Sequence, residues 1–355
     1  MALTDTSTAV REGEALDTRL LDAYLKARIP GLEGAPALSQ FPGGASNLTY
    51  LLQYPNRELV LRRPPFGDKA RSAHDMGREY RILTQLNSGF PYCPKAYLHC
   101  TDASLIGAEF YVMERVRGII LRADLPAELE LSPARTEALC KSFIDRLVEL
   151  HQVDYRACGL EGLGKPGGYV QRQVSGWCER YEKAMTPDAP AWGQVKAWLA
   201  DKQPPDHPRS AIVHNDYRFD NVILDADDPL RIVGVLDWEL TTIGDPLMDL
   251  GNSLAYWIEA GDPAPVQLMR RQPSNAPGML TRAQFVDYYA ERSGIAIDNM
   301  DFYYTYGLFR LAGIVQQIYY RYYHGQTQDK RFAPFIQMNR LLERMSLQVI
   351  ERSRL

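Results

Sequence analysis

Two carboxylates and an amide stand near the middle of the chain, in the stretch VHNDYRFDNVILDADDPLRIVGVLDWEL. Asp216 precedes Asn221 by five residues, and Asp237 follows the next two apolar runs. Those runs are short and rich in β-branched residues, as strands are, whereas Asp and Asn are usually depleted in strands. Carboxylates crowd together when a cation lies between them, because the cation offsets their mutual repulsion. The spacing therefore indicates a site that holds a cation.

The apolar runs predict how these side chains meet. Residues 221–224 and 230–236 read as two strands, and the DADDP sequence between them has the composition of a turn. Folding the chain about this turn brings Asn221 and Asp237 to the same open end of a hairpin. Asp216 lies on the loop that enters that end. The sequence thus predicts that an amide and two carboxylates converge.

This set of donors matches the needs of phosphoryl transfer. A few oxygen ligands suit Mg²⁺, which keeps several waters and takes further ligands from phosphates. The reaction needs one carboxylate to accept a hydroxyl proton, and an amide and a second carboxylate to hold the metal. It also needs a cation near the transferred group, and Arg218 stands two residues after Asp216. The pattern therefore favours a Mg²⁺-dependent phosphotransferase.

The flanking elements divide the chain into a strand-rich first third and a helical remainder. Strands are predicted near 47–53, 58–63, 95–100 and 109–116, and helices near 16–28, 73–87, 132–151, 169–185, 190–201 and from about 246 onward. This pattern predicts an α+β protein with a small β-rich N-lobe, one prominent N-lobe helix and a larger, mainly helical C-lobe. We expect residues 1–113 to form the N-lobe, 114–118 the link and 119–355 the C-lobe.

The bulk composition excludes several classes of protein. The chain has 355 residues, a net charge of -4 and 45% hydrophobic residues. That balance argues against nucleic acid or an anionic membrane as the main partner. Five cysteines at scattered positions show no metal-ligand spacing and predict reduced thiols. The sequence has no secretory signal and no apolar stretch of about 18 residues, so we expect a cytoplasmic protein.

The catalytic stretch also resembles a known family. HNDYRFDN, His214 to Asn221, resembles the kinase catalytic loop H-x-D-x-x-x-x-N, in the form found in aminoglycoside phosphotransferases, a family of small-molecule kinases. LDWELTTIGDPLMDLG, residues 236–251, is similar to the second signature of that family. FPGGASNLTY, LRRPP and YVMERVRG resemble the kinase-like domain that precedes acyl-CoA dehydrogenase modules in some larger proteins. The resemblance covers about 38–325 and implies a bilobal protein-kinase-like fold with ATP between the lobes.

The resemblance implies a role for each matching residue. Asp216 would be the general base, with Arg218 near the transferred phosphoryl group. Asn221 and Asp237 would bind Mg²⁺, and His214 would brace the loop. The nucleotide-binding residues would be Gly43, Gly44, Ser46 and Asn47 over the ATP phosphates, Arg62 with its partner Glu79, and Met113, Glu114 and Val116 in the link that meets the adenine.

Two positions depart from the family pattern. The family usually has a lysine on the third strand, whereas this chain has Leu61-Arg62-Arg63. Alternation along a strand puts the two arginines on opposite faces, and the spacing favours Arg62 as the one that faces the nucleotide. The metal-binding aspartate is followed by Trp238-Glu239 rather than by the Phe-Gly that protein kinases use as a switch. A small-molecule kinase is therefore favoured over a protein kinase.

Two helices of the C-lobe bear on the site. Asp245 and Pro246 predict a helix start, with an N-cap followed by proline at the first helical position. Asp249, in the first turn, is predicted to hold the catalytic loop by hydrogen bonds. The tyrosine-rich segment 301–326 reads as a buried core helix. Alternatively, an acceptor pocket is lined by some of Tyr303, Tyr304, Tyr319 and Tyr320.

The identity of the acceptor stays open, beyond a small molecule that carries a hydroxyl group. Acidic residues at 287, 291, 298 and 301 favour a cationic acceptor, whereas the resemblance to the acyl-CoA-linked domain favours a hydroxylated acid or an acyl thioester. Two other functions fit part of the pattern. One is a metal-dependent phosphoester hydrolase that uses His214, Asp216 and Asp237. The other is a nucleotide-binding pseudokinase module, because the family lysine is missing. The sequence does not specify the oligomeric state.

Overall fold

The computed structural model describes residues 6–42, 47–65 and 75–355. Two compact units make up the chain. The first unit comprises Met1–Ile120, Asp154–Leu160 and Asn221–Glu239, and the second unit comprises Leu121–Val153, Glu161–Asp220 and Leu240–Leu355. These compact units interleave along the chain. The contiguous lobes expected from the sequence, 1–113 and 119–355 with a link at 114–118, stay a prediction.

The first unit is built on a five-stranded antiparallel sheet with the strand order β1-β2-β3-β5-β4. Its elements are α1 (Thr18–Lys26), β1 (Ala37–Gln40), β2 (Leu48–Gln53), β3 (Glu58–Arg63), α2 (Met76–Leu86), β4 (Ala96–Cys100) and β5 (Phe110–Glu114). The four strands predicted in this region correspond to β2 through β5. Strand β1 was not predicted, because four residues are too few to show an alternating pattern.

Apolar side chains of the sheet and of α1 form the core of the first unit. Leu21 and Leu25 of α1 are fully buried with Leu52, Leu59 and Phe110 of the strands. Full burial of one such side chain contributes about 1.5–3 kcal/mol. The alternation seen in the sequence thus corresponds to a sheet with one face against α1.

Helix α2 begins where a carboxylate can cap it. Asp75 accepts a hydrogen bond from the Arg78 backbone N–H at 2.7 Å, which satisfies one of the unpaired donors of the first turn. The helix was predicted from residue 73, and residues 73 and 74 lie outside the described residues. Helix α2 matters for the site because it carries Glu79, whose side chain is buried.

The short hairpin predicted from the sequence is present, and it belongs to the first unit. Its strands are β7 (Val222–Leu224) and β8 (Ile232–Val235). Asp225 closes the turn by accepting hydrogen bonds from the backbone N–H groups two and three residues further on. Ile119 and Leu224 exchange two backbone hydrogen bonds of 2.8 Å. Gly118 permits this approach, because a Cβ there would lie 2.1 Å from the Leu224 carbonyl oxygen. The hairpin is therefore fixed to the predicted link.

The second unit is mainly helical. Its helices are α3 (Pro133–Gln152), α4 (Tyr169–Lys183), α5 (Gly193–Asp201), α6 (Pro246–Ala255), α7 (Ala264–Gln267), α8 (Arg282–Ser293), α9 (Met300–Tyr323) and α10 (Phe335–Arg352). A pair of strands, β6 (Ala211–Val213) and β9 (Thr242–Gly244), was too short to predict. Ser132 caps α3 and Asp245 caps α6, each followed by proline at the first helical position. The predicted cap at Asp245 and the α+β fold class are confirmed.

Helices α6 and α9 approach each other at two glycines. A Cβ at Gly251 would lie 2.2 Å from the Tyr303 carbonyl oxygen, and a Cβ at Gly307 would lie 2.2 Å from the Gly251 carbonyl oxygen. Any larger side chain at either position would force the two backbones apart. The contact thus fixes α6, the helix that carries Asp249.

Three of the seven tyrosines of α9 are buried in the core. Tyr303 is 2% exposed and donates a hydrogen bond to Asp245 Oδ2 at 3.1 Å. Tyr319 donates to Asp188 Oδ2 at 2.8 Å. Both hydroxyl groups have structural partners, so the core interpretation is confirmed for these two residues.

None of the helices in the described residues, α9 included, combines the length and the apolar run that crossing a bilayer requires.

Candidate functional site

The two arginines of β3 point to opposite faces of the sheet. The Arg62 guanidinium forms an ion pair with Glu79 on α2, and its Nη2 lies 3.5 Å from Asp237 Oδ1. Arg63 faces the other way and donates from Nη1 to the Ile106 carbonyl oxygen at 2.6 Å. Arg62 is therefore the arginine beside the predicted metal ligand, and the expected pair with Glu79 is present.

One guanidinium lies among three carboxylates in this part of the first unit. In addition to Glu79 and Asp237, Glu239 Oε2 lies 3.8 Å from Arg62 Nη2. Burial alone would lower the pKa of Arg62, but the surrounding carboxylates raise that pKa well above its usual range. Burial raises the pKa of Glu79, and Arg62 opposes that shift. Three carboxylates therefore lie around this guanidinium, and a further cation bound beside them would offset their mutual repulsion.

Asp237 has a strained backbone. Its φ of 67° lies in the left-handed region, which costs an L residue about 1–3 kcal/mol. Its Oδ1 is buried and accepts no hydrogen bond from any described residue. On the other strand of the hairpin, the Asn221 carbonyl accepts the Leu236 N–H at 2.8 Å. This register places Asn221 and Asp237 at the same end of the hairpin, as predicted.

These donors fit Mg²⁺ better than a metal that is enclosed by protein ligands. Over the described ranges, no group of three or more His, Cys, Asp or Glu side chains is arranged to hold a metal ion. Mg²⁺ commonly takes one or two carboxylates from a protein and completes its octahedron with water and phosphate oxygens. Such a set is supplied by the side chain of Asn221 and by Asp237 Oδ1, which accepts no hydrogen bond from the described residues.

Glu239 connects several parts of the first unit, and sequence reasoning gave it no role. Its Oε2 accepts a hydrogen bond from Asn47 Nδ2 at 3.1 Å, and its carbonyl accepts one from Arg78 Nη1 at 2.9 Å. Asn47 was predicted to lie over the nucleotide phosphates, and its buried side chain is held by Glu239. The sequence feature that could have indicated a role for Glu239 is the Trp238-Glu239 pair, which follows Asp237 where protein kinases have Phe-Gly.

A cavity of about 150 Å³ adjoins this cluster within the first unit. Its lining combines the apolar Leu83, Pro94 and Met113 with the polar Arg62, Glu79 and Asp237.

Two of the remaining residues predicted to bind the nucleotide, Glu114 and Val116, lie in the described part of the chain but do not line this cavity. Glu114, in the predicted link, accepts the Lys95 N–H at 2.7 Å through Oε1. Val116 packs on the hairpin at Gly234, where a Cβ would lie 3.1 Å from the Val116 Cγ1. The predicted residues Gly43, Gly44 and Ser46 lie outside the described residues.

The second unit contains the predicted base and its arginine. Arg218 holds Asp216 through two contacts of 3.1 Å, from Nε to Oδ1 and from Nη2 to Oδ2. Arg218 Nε also lies 3.4 Å from Asp220 Oδ1, and the guanidinium stacks 4.6 Å above the Tyr256 ring. Burial alone would lower the pKa of Arg218, but Asp216 and its other neighbours raise it. Arg218 is thus a fixed cation between two carboxylates.

Asp249 fixes the backbone of the catalytic loop. Its two carboxylate oxygens accept the N–H groups of His214 and Asn215, each at 2.7 Å. His214 Nδ1 in turn accepts the Asp216 N–H at 3.2 Å. His151 Nε2 lies 3.1 Å from Asp249 Oδ2. The bracing roles of His214 and Asp249 are confirmed. His151 was missed because its partner is 98 residues away in sequence.

The substitution Asp249→Asn is expected to lower the free energy of unfolding by about 1–3 kcal/mol, because an amide cannot accept all of these hydrogen bonds. Burial would raise the pKa of Asp249, but hydrogen bonds from His151 and the His214 backbone lower it below its usual value. The native state therefore binds fewer protons than the unfolded state. The stabilisation is present above the unfolded pKa of about 3.9 and is lost as the pH falls through the folded pKa.

Urea unfolding of wild type and Asp249→Asn at about pH 7 and about pH 3 measures this difference. The gap in unfolding free energy between the two proteins should narrow at the lower pH. A gap of equal size at both pH values would contradict the assignment of the lowered pKa to Asp249.

The predicted site residues fall into two groups. The first unit brings together Arg62, Glu79, Met113, Asn221 and Asp237 around one cavity. The second unit pairs Asp216 with Arg218. The convergence of Asp216 with Asn221 and Asp237 stays a prediction, as do the catalytic and ligand-binding roles of all these residues.

Comparison with known sequences places this chain beside a protein family and a longer relative. The model of the phosphotransferase enzyme family matches residues 37–285. Over 99% of its length the chain is 35% identical to acyl-CoA dehydrogenase family member 11 of Gallus gallus. The chain spans 46% of that relative, about half of its length.

Solved structures show the same fold. A candidate aminoglycoside phosphotransferase from Ralstonia eutropha is 32% identical with a TM-score of 0.82, and the match covers 96% of this chain and 100% of that one. The aminoglycoside phosphotransferase APH(4)-Ia, solved as a ternary complex with AMP-PNP and hygromycin B, is 15% identical with a TM-score of 0.58 over 91% and 97% of the two chains. The kinase-like fold predicted from the sequence is confirmed.

Proposed function

Because the chain belongs to the phosphotransferase enzyme family, we propose that it is an ATP- and Mg²⁺-dependent kinase that transfers the γ-phosphoryl group to a hydroxyl of a small molecule. One observation carries this proposal. The buried Oδ1 of Asp237, which has no hydrogen-bond partner among the described residues, lies beside the Arg62–Glu79 pair. A metal-binding carboxylate next to a fixed phosphate-binding cation is what phosphoryl transfer requires.

In this proposal the first unit binds the nucleotide. Arg62 offers a planar fork of N–H donors to the phosphates, and Glu79 fixes the direction of that fork. The backbone near Met113, Glu114 and Val116 meets the adenine. The residues proposed to bind the phosphates also include Gly43, Gly44, Ser46 and Asn47. The AMP-PNP bound in the APH(4)-Ia structure supports ATP as the phosphoryl donor.

The remaining residues act on the reacting groups. Asn221 and Asp237 hold Mg²⁺, which when bound neutralises charge on the phosphate oxygens. Asp216 accepts the proton of the acceptor hydroxyl while that oxygen forms its bond to the γ-phosphorus. The bond from this phosphorus to the bridging oxygen breaks, ADP leaves, and Asp216 releases the proton to solvent. Arg218, held by Asp216 and Asp220, stabilises charge on the transferred group.

We propose that the acceptor is a hydroxylated acid or an acyl thioester. The support is the similarity to a protein named as an acyl-CoA dehydrogenase family member, of which the chain spans 46%. The acidic residues at 287, 291, 298 and 301, which would favour a cationic acceptor, are all exposed. They fit a solvated surface at least as well as a binding site.

An acceptor screen that reads ADP release tests this proposal. The purified protein is incubated with radiolabelled ATP, Mg²⁺ and a panel of hydroxy acids, hydroxyacyl thioesters, aminoglycosides and amino alcohols. We expect label to appear on at least one acceptor and to disappear when EDTA removes the metal. Nucleotide binding without transfer to any acceptor would instead support the pseudokinase module. Release of phosphate from phosphoesters without ATP would support the hydrolase.

A further inference from the structure

Arg270 in the second unit has fewer acceptors than its guanidinium can use. Its Nη2 contacts Asp124 Oδ1 at 2.7 Å, whereas its Nε and Nη1 are buried and donate to no acceptor in the part of the chain that the structure describes. The Asp124 side chain is 81% exposed, so water weakens this ion pair. A guanidinium carries five N–H donors, and buried donors are normally paired. These N–H groups are therefore available to acceptor oxygens that a ligand brings.

The segment that carries Arg270 is held firmly. Gln272 is 1% exposed, accepts the Phe219 N–H at 2.9 Å and donates to the carbonyl at the end of α6 at 3.2 Å. Ser274 is 2% exposed and makes two hydrogen bonds to the backbone of Ile258. A side chain on a fixed segment keeps its direction when a ligand binds, which favours selection of that ligand.

This segment adjoins the catalytic loop within the second unit. Phe219, which Gln272 anchors, stands between Arg218 and Asp220 in sequence. Two residues of extended chain span at most about 7 Å, so the Arg270 backbone lies within that distance of Gln272. The Arg270 backbone thus lies two residues from a side chain that contacts the loop carrying the proposed base.

A second segment links Arg270 to the same loop. Arg122 acts electrostatically on Asp220, and Asp124, the partner of Arg270, follows Arg122 by two residues. The segments around residues 122 and 270 therefore meet each other at an ion pair and both adjoin the catalytic loop. Together they bring two arginines to the part of the second unit where an acceptor would have to bind.

We propose that Arg270 binds an anionic oxygen group of the acceptor and thereby selects hydroxylated anions over neutral and cationic alcohols. This inference rests on the proposed kinase function. The planar fork of arginine matches the two oxygens of a carboxylate or a phosphate, and either a free acid or the phosphate of a thioester carrier presents that chemistry. Arg270 determines specificity and takes no part in the transfer of the phosphoryl group.

Paired acceptors separate charge from shape in the test. Each hydroxy carboxylate is assayed beside its neutral primary amide, and each hydroxyacyl thioester is assayed on phosphorylated and unphosphorylated carriers. We expect kcat/KM of wild type to be about 10- to 100-fold higher for the anionic member of each pair. This is about the range that a hydrogen bond to a charged group typically contributes. In Arg270→Gln this ratio should fall towards one, mainly through KM. Arg270→Lys should keep part of the preference, because lysine keeps the charge but loses the fork.

A matched control is the neighbouring arginine. Arg271 is exposed, so Arg271→Gln removes the same charge from the same segment and should leave the ratio at its wild-type value. If the ratio of kcat/KM for anionic over neutral acceptors changes equally in both variants, the net charge of the protein explains the preference, and the inference is overturned. A change seen only with free acids assigns the site to a carboxylate, and a change seen only with phosphorylated carriers assigns it to a phosphate.

A binding measurement separates failure of this inference from failure of the kinase function. Calorimetry with the deoxy analogues of the same acids needs no turnover, and binding to wild type that is lost in Arg270→Gln supports the anion site. If wild type phosphorylates acceptors with the same ratio as Arg270→Gln, the inference is overturned while the kinase function stands. If wild type phosphorylates nothing in the panel, the proposed function fails, and calorimetry still decides whether Arg270 binds anions.

Discussion

Replacement of Asp216 by Asn is expected to lower kcat by about 100- to 10,000-fold, the range for loss of a general base. The amide is close in size to the carboxylate but cannot accept a proton at neutral pH. The residues proposed to bind the nucleotide lie in the first unit, whereas Asp216 lies in the second. Nucleotide affinity should therefore change little. Steady-state kinetics with the best acceptor of the screen and a nucleotide titration measure the two effects.

The control for Asp216 is another aspartate of the same stretch. Asp227 is exposed in the turn of the hairpin, and Asp227→Asn should leave kcat unchanged. If Asp216→Asn keeps kcat within about threefold of wild type while both variants remain folded, Asp216 is not the base. The proton would then have to pass to another group or directly to water.

Replacement of Arg62 by Met is expected to affect both stability and nucleotide binding. Arg62 is 12% exposed and lies among the carboxylates of Glu79, Asp237 and Glu239. Removing the cation leaves buried negative charge uncompensated, which typically costs about 3–5 kcal/mol. The same change removes the proposed phosphate ligand, so the dissociation constant for ATP should rise. Urea unfolding and a nucleotide titration measure these two effects separately.

A double variant separates the two effects of Arg62. Arg62→Met combined with Glu79→Met removes the buried pair as a whole, and replacing such a pair with apolar residues is often neutral for stability. The double variant should therefore regain much of the lost stability without regaining nucleotide affinity. A double variant as unstable as the single one would show that the uncompensated carboxylate is not the cause.

Arg63, the residue next to Arg62, is the control for the position of the substituted arginine. Arg63 is also buried, but it donates to the Ile106 carbonyl on the opposite face of β3. Arg63→Met should lower the free energy of unfolding, because it leaves a buried carbonyl without its donor. It should not change the affinity for ATP. Equal losses of ATP affinity in the Arg62 and Arg63 variants would argue against direct contact between Arg62 and the phosphates.

The features predicted correctly from the sequence depend on residues that are close along the chain. The DADDP turn defines the hairpin, and Asp245 with Pro246 defines the start of α6. The placement of Arg62 and Arg63 on opposite faces follows from the alternation of side chains along one strand. In each case a local rule of geometry or composition is sufficient. Strands β1, β6 and β9 were missed, because three or four residues do not establish a period.

Other members of the site come together only through the tertiary fold. Glu239 and its partner Asn47 are 192 residues apart, and Arg270 is 146 residues from Asp124. No local pattern marks such a pair, because each residue taken alone is an ordinary polar side chain. Whether the N–H groups of Arg270 find an acceptor among the described residues depends on which atoms surround the guanidinium in the folded protein.

The discontinuous make-up of the first unit limits how this protein could be rearranged during evolution or in the laboratory. Arg62 and Glu79 are encoded early in the gene, whereas Asn221 follows Glu79 by 142 residues and lies with Asp237 in the stretch Asn221–Glu239. A gene fragment cut after Ile120 would therefore encode the strands without the proposed metal ligands. An exchange of nucleotide-binding modules with another kinase would have to transplant both stretches together, and a chimera that carries only the earlier one is expected to bind ATP without Mg²⁺ dependence, if it binds ATP at all.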